Sequence, residues 1–457
     1  MLTHHVSSIR FSPFQSLRAT PGPSRLSIPE DQMTDPETKK TATLIIGIDW
    51  ADRQHVVCLF HEGRPVTTET LDQEPDAIHE WALRIKSRFP EHAVCVAIEQ
   101  SRGALVQALR QFSEWTIYPI NPKQLARYRE AIHPSGSKDD PQDAELLAAF
   151  LHYHQHKLRP WRPDSPETRR IARLAELRRK LVDHRKSLRQ QLIASLKGYF
   201  PLALSLFARR LTTDFGLQLL NRWPSLTELR KAHPRTLRKF FADHGIRNTT
   251  QQTQWIEAIR KATPLTTDHA VIQPQALLVQ CLVRQIAELN RGIDNFEEQL
   301  REAVDSHPDA GIFRALPGAG NALVPRLIAA FGSDRDRYDN AAQLQAYSGI
   351  APITRRSGKA VSVARRHACP KFLRQTFHEF ADHARKWSPW STAFYTMKRL
   401  AGMKHHAAVR ALAFKWQRIM FRLWKNKQIY SENQYLESLR KQNSPLLKFL
   451  EEQQTTA

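Results

Sequence analysis

Cysteine is scarce, long apolar runs are missing, and acids fall well short of bases. The four cysteines, Cys58, Cys95, Cys281 and Cys369, stand far apart, with no Cys-x-x-Cys pair and no histidine at ligand spacing. That excludes a zinc ribbon and a disulfide framework and suits a reducing compartment. No apolar run approaches the ~18 residues of a membrane span, and the N-terminus has no apolar signal-peptide core. A soluble chain of the cytoplasm, without a membrane partner, is expected. The shortage of acids is the most informative lack: 45 Asp+Glu face 68 Lys+Arg, a formal charge of +23 with a pI near 10.1. Such a balance calls for a polyanionic partner, nucleic acid before membrane. The rest of the composition is ordinary for a soluble protein, 457 residues with 41% hydrophobic and 25% charged, room for roughly two to four domains.

Residues 1–40 are rich in Ser, Pro, Thr and charge without periodicity and read as a disordered leader, with Met33 as an alternative start. The organising stretch follows: TLIIGIDWAD, 43–52, in which Leu44, Ile45, Ile46 and Ile48 run into Asp49. This is the apolar run of a buried strand. An Asp at its end needs a partner, and a metal ion is the usual one. QHVVCLFHEG and RPVTTETL add two more strands, PDAIHEWALRIKSRF a helix, and HAVCVAIEQS a second buried strand that also ends on an acid, Glu99. A helix at GALVQALRQFSE, a strand at WTIYPINP and a helix opening on Pro122 complete three antiparallel strands followed by β-α-β-α. That is the order of an RNase H-like sheet. In PSGSKDDPQDAELLAAFLHYH, Asp140 and Asp143 are three apart, on one face of a helix that Pro141 starts. Acids also favour helix N-termini for their own sake, and Asp140 is a candidate N-cap.

Asp49 in GIDW, Glu99 in AIEQS, and Asp140 and Asp143 in KDDPQDAELLA together resemble the acid set of the DEDD transposases of bacterial insertion sequences, whose N-terminal domain is similar to the resolvase RuvC. Asp52 and Asp139 lie nearby but do not match the motif. The resemblance implies a RuvC-like domain over 41–160 and Mg2+ held by Asp49, Glu99, Asp140 and Asp143. Hard oxygen donors suit that ion, and paired ions stabilise phosphoryl transfer.

From 161 to 200 there are 11 Lys+Arg against 4 Asp+Glu, on a long helix with Leu174, Leu177, Leu181, Leu188 and Leu192 in a stripe. A second long helix, 277–303, keeps 3-4 spacing from Val279 to Leu300, a coiled-coil seam. The two are expected to pair antiparallel or to dimerise across chains, making 161–305 a helical, coiled-coil region. Small helices lie between them, one opened by the Ser225–Glu228 capping box. Arg173, Arg178 and Arg179 on the basic helix are candidates for phosphate contact. In FRALPGAGNALVPRLIAAFG the Pro317-Gly318-x-Gly320 turn resembles a helix-hairpin-helix element, whose glycines let backbone N–H groups meet a phosphate. The continuation, AYSGIAPITRRSGKA, is similar to the C-terminal domain of the same transposases, which here spans 306–430 and is mainly helical. The match implies that Ser357 in RRSGK is the nucleophile, with Ser348 in AYSG as runner-up, and that Arg355, Arg356 and Lys359 face the phosphate. Arg365-Arg366-His367 departs from the Lys-Gly-Asn type of turn that the family pattern has there. From 353 to 427 the chain carries 18 Lys+Arg and only 2 Asp+Glu, with aromatics at helical spacing that read as core. Residues 431–457 read as a polar tail.

The resemblance covers about 41–430 and implies a DNA transposase guided by a bridge RNA, acting as a dimer or tetramer on element ends and target. It further implies that the acids of one subunit work with the serine of another. A RuvC-type nuclease using water, and a non-catalytic nucleic-acid-binding protein, are the rival readings.

Overall fold

The run Leu44–Ile48 forms the middle of a five-stranded sheet in a computed structural model that describes residues 43–99, 102–132, 140–358 and 360–455. The expected leader, Asp139 and Lys359 fall outside those residues. The chain divides after Trp161 into two units. In the first, strands β1 (Thr43–Asp49), β2 (Gln54–His61) and β3 (Arg64–Asp72) are joined by short turns, then α1 (Pro75–Arg88), β4 (Ala93–Ile98), α2 (Ala104–Leu109), β5 (Thr116–Pro119), α3 (Pro122–Ile132) and α4 (Asp140–His154) follow. The sheet order is β3-β2-β1-β4-β5, with β1 antiparallel to β2, β2 antiparallel to β3, and β4 parallel to both β1 and β5. Alternation along the strands decides which helix each side chain meets. Leu44, Ile46, Ile48, Val94, Val96 and Ile98 pack with Trp81, Ile85, Leu105 and Leu109 of α1 and α2. Ile45, Cys95 and Ala97 point the other way, into a cluster with Leu125 of α3 and Leu147, Ala148 and Leu151 of α4.

In the second unit, α5 (Pro166–Tyr199) opens with Ser165 as N-cap, and α6 (Pro201–Phe207), α7 (Asp214–Arg222), α8 (Leu226–Lys231), α9 (Pro234–Asp243) and α10 (Thr249–Lys261) lead to α11 (His269–Asp305). The Ser225 side chain caps α8 by accepting the Glu228 N–H at 3.2 Å. Helices α5 and α11 pair antiparallel within the chain. Arg170 donates to Gln299 at 2.9 Å, Arg185 to Asn290 at 2.9 Å, and Ser195 meets Gln275, so later residues of α5 meet earlier residues of α11. Their seam and the five small helices share one core around Leu192, Leu196, Phe207, Phe241 and Ile286.

A second core gathers α12 (Ala310–Arg314), α13 (Gly320–Phe331), α14 (Ala341–Tyr347), α15 (Lys371–Ala384), α16 (Pro389–Leu400), α17 (His405–Lys425), α18 (Glu432–Lys441) and α19 (Pro445–Thr455). Phe377, Phe380, Trp390, Trp416 and Trp424 are all fully buried there, as their helical spacing predicts. The expected polar tail is instead two helices whose Leu439, Leu446, Leu447 and Leu450 close this core. Between α14 and α15 stands a two-stranded hairpin, β6 (Ile353–Ser357) and β7 (Ala360–Ala364). No helix among the described residues is long and apolar enough to cross a membrane.

Candidate active site

Asp49 is the last residue of β1, and Glu99 is the first after β4. The register pairs Ile48 with Ile98 in parallel strands, so the two acids are the next neighbours along the sheet. The alternation that sends Ile45, Gly47, Cys95 and Ala97 toward α3 and α4 sends Asp49 the same way. Gly47 fixes how close α4 comes. A Cβ there would meet the Ala144 carbonyl oxygen at 2.0 Å and the Ala148 nitrogen at 2.7 Å, so only glycine lets the helix lie on the strand. Further along α4, His152 stacks against Phe60, the register partner of Ile45. The helix therefore runs antiparallel to β1, its N-terminus at the end where Asp49 sits. At about 1.5 Å per helical residue and about 3.3 Å per strand residue, Asp140 and Asp143 come level with Ile48–Trp50.

The helical acids differ. Asp140 is exposed at the first position of α4, whereas Asp143 is 3% exposed. Arg129 of α3 reaches Asp143: its Nε donates to Oδ1 at 2.8 Å, and Nη2 lies 2.5 Å from the same oxygen. Among the described residues, no group of three or more His, Cys, Asp or Glu side chains stands together as a ready metal site. A sequence reading passes over Arg129, because its helix gives no sign of which residue it will meet. It also passes over His55, which the alternation of β2 would have flagged. Fully buried, His55 accepts the Ala51 N–H on Nδ1 at 3.2 Å and meets Gln73 Oε1 through Nε2 at 2.7 Å. It thus pins the turn that carries Asp49 out of the sheet. Burial holds the His55 pKa below its ordinary value, against the Gln73 hydrogen bond.

The candidate serines could hardly be more different. Ser357 ends β6, exposed, paired with Ala360 across the turn at Gly358, whose φ is +55°. Arg355 and Arg356 precede it on the same exposed strand. Ser348 is fully buried at the end of α14, where its hydroxyl accepts from Gln417 Nε2 at 2.8 Å and donates to the Gln345 carbonyl at 3.3 Å.

Of the basic-helix candidates, Arg173 is exposed. Arg178 is ion-paired to Glu297 of α11, and Arg179 bridges Asp183 at 3.0 Å and Glu379 at 3.3 Å. Glu379 in turn pairs with buried Arg326, so Arg179 belongs to an internal brace. The Pro317-Gly318-x-Gly320 turn does join two helices, α12 and α13. Gly318 has φ +74° and lies so close to α15 that a Cβ would meet Trp387 Cδ1 at 2.8 Å and the His383 carbonyl carbon at 3.1 Å, while Gly320 opens on free space. A cleft of about 340 Å³ beside it is lined by Arg178, Arg301 and Arg314, each of which is paired to an acid, Glu297, Glu298 and Asp305 respectively.

These features have relatives. A DEDD-type transposase domain pattern matches residues 46–201, the sheet, its acids and the first long helix, and the transposase IS116/IS110/IS902 family pattern matches residues 310–396, the glycine turn through the hairpin to α16. The chain is 30% identical over 377 residues to the "Mini-circle putative transposase for IS117" of Streptomyces coelicolor, covering 81% of this chain and 91% of the relative. It is 25% identical over 396 residues to an uncharacterized 42 kDa protein of insertion element IS900 from Mycobacterium paratuberculosis, 84% of this chain and 96% of the relative. A 43.6 kDa protein of insertion element IS110 from Streptomyces coelicolor is 22% identical over 372 residues. Acid-bearing sheet, long helices and serine hairpin follow one another in the order of these matches, and the chain belongs to the IS110/IS116 family of DEDD insertion-sequence transposases.

Proposed function

We propose that the protein cuts and rejoins DNA at the ends of its element and at a target, using the acids of the first unit and Ser357 as nucleophile, with a guide RNA choosing the sites. The observation that supports the catalytic part is Gly47, whose close approach to Ala144 and Ala148 lets α4 lie on β1 with its acidic first turn toward the strand end that carries Asp49. The strand order, three antiparallel strands followed by two parallel ones, supports an RNase H-like reading of that unit.

The donor set fits Mg2+. All four candidates, Asp49, Glu99, Asp140 and Asp143, are carboxylates, and no thiol or imidazole is needed. Mg2+ sites commonly take only one or two carboxylates and complete their shell with water and substrate phosphate, so a preformed trio is not required. When bound, the ion would neutralise charge developing on the phosphate. Arg129 neutralises Asp143 and fixes its orientation. Ser357 then does the covalent work. Its Oγ–P bond forms as the phosphate's bond to a deoxyribose oxygen breaks, the hydroxyl proton passes to a carboxylate of the acid set, and the leaving oxygen takes a proton from water. Arg355, two residues before Ser357 and on the same face of the strand, would offset the phosphorane charge. Ser348 is a poorer candidate because both hydrogen bonds of its hydroxyl are spent inside the core.

The test is a trapped adduct. Wild-type protein, the element's guide RNA, Mg2+ and nicked element-end DNA are expected to give a covalent protein–DNA species that maps to Ser357. Ser357→Ala should bind DNA and yield neither adduct nor recombinant product. Cleavage by Ser357→Ala at the wild-type rate would mean that water is the nucleophile, and the transposition chemistry proposed here would fall.

A further inference from the structure

The β6–β7 hairpin has two faces, and only one is used by the chemistry above. Cross-strand partners share a face, so Arg355, Ser357 and Ser362 lie on one side, and Thr354, Arg356, Val361 and Val363 on the other. Val361 is 59% and Val363 67% exposed. None of the described residues of either strand is buried, and neither valine belongs to the core of the second unit. An isolated two-stranded hairpin is marginal in water, and exposed β-branched side chains on it need a surface to cover them. The surroundings say what kind. From Asn340 to His378 the sequence has seven Lys or Arg and no acid. A second copy of a chain of charge +23 is a poor electrostatic match for that strip, and a nucleic-acid backbone is a good one.

We infer that the hairpin is a ribbon that enters the major groove of B-form DNA. Val361 and Val363 meet base edges there, and Arg356, directly across from Val361, binds a phosphate. This deepens the reading of the chain as a serine-dependent transposase, on which it rests. A two-stranded ribbon fits the major groove of B-DNA, about 12 Å wide, where thymine methyls offer apolar contacts. The major groove of A-form RNA is too deep and narrow for side chains to read, which makes the DNA target or element end the occupant and not the guide.

The experiment uses full-length protein and a duplex spanning an end of the element that encodes it. Val361→Ser/Val363→Ser should lower affinity about tenfold or more, with the slope of log K against log salt unchanged. It should also abolish protection of guanine N7 from methylation, a major-groove probe. Arg356→Ala should reduce that slope by about one. A second arm leaves the protein untouched. Replacing thymine by uracil in the base pairs next to the protected guanines should weaken wild-type binding and leave the double-serine variant indifferent. Unchanged affinity and protection in the double variant, or no effect of uracil on wild-type protein, would overturn the inference. So would a changed sedimentation coefficient without loss of protection, which would make the valine face a contact between subunits. Ser357→Ala separates the two readings: it should keep full affinity and protection while losing the adduct. An adduct formed by Ser357→Ala would remove the nucleophile assignment without touching the ribbon.

Discussion

At the scale of single residues, the Arg129–Asp143 pair shows what it costs to bring acids to the end of a sheet. Asp143 is nearly excluded from water, and an unpaired buried carboxylate is costly. Removing its counter-charge should therefore hurt the fold more than the loss of one contact would imply. Arg129→Ala is expected to destabilise the first unit by about 2–4 kcal/mol, read as a lower urea midpoint at neutral pH. A midpoint equal to wild type would mean that other groups already satisfy Asp143. His307 makes the same point for a neutral group. It is 4% exposed, its Nδ1 accepts the Asp309 N–H at 3.1 Å, and Nε2 must then carry the proton shared with Thr168 Oγ1 at 2.8 Å. Burial lowers its pKa, with Arg335 in the same direction, while Asp309, Glu167 and Asp164 pull it back up without reversing the shift. A pKa below the ordinary 6.5 means that the unfolded chain binds the proton more readily, so the stability due to this group is present above pH 6.5 and is lost as pH falls below it. Between about pH 7.5 and about pH 5.5 the wild-type melting temperature should fall more than that of His307→Gln. Parallel pH profiles for the two proteins would refute this.

At the scale of elements, close approach decides. Gly47→Ala puts a methyl where the Ala144 carbonyl already lies, and backbone cannot yield as a flexible side chain does. The variant is expected to lose about 3 kcal/mol or more through displacement of α4 and to lose strand cleavage with it, since Asp140 and Asp143 travel on that helix. Stability by denaturant and cleavage of an element-end duplex measure both. Cleavage that survives such a destabilisation would separate the helical acids from the chemistry. Elements with an inner and an outer side were the ones legible in the sequence. The apolar runs of β1, β2 and β4, the Pro at the head of α3, the acids at the head of α4, the leucine stripe of α5 and the 3-4 apolar seam of α11 are local signals, and each element formed where its signal lay. The hairpin was not legible as strands. RRSGKAVSVARR reads as a serine loop because neither of its faces meets a core, so nothing in it alternates between inside and outside. The last two helices were missed for a related reason: Leu439, Leu446, Leu447 and Leu450 make stripes too short to stand out from their polar neighbours. Arg129 was illegible in another way. Its partner, fourteen residues on, is set by the packing of α3 on α4 and not by anything in either helix.

At the scale of the whole molecule, the question is whether one reaction draws on residues of two units. The acid set and Ser357 belong to different units of one chain, and the charge of +23 ensures only that both attend the same polyanion. Two inactive variants can decide whether a single subunit supplies both parts. Asp49→Asn removes a carboxylate while keeping its size, and Ser357→Ala removes the nucleophile; each alone is expected to bind DNA and make no recombinant. If the acids of one subunit serve the serine of the next, a mixed dimer contains one wholly intact site, formed from the acids of the serine variant and the serine of the acid variant. It also contains one site that is doubly dead. In a two-fold dimer mixed at random from equal amounts, about half of the dimers are mixed and half of their sites are intact, so roughly a quarter of wild-type product should return. If each subunit uses its own acids and serine, every site in every dimer lacks one part and no product returns. Differently tagged chains show by co-purification that mixed dimers formed. Without product from such dimers, the shared site would be ruled out, while the roles of Asp49 and Ser357, tested separately, would stand.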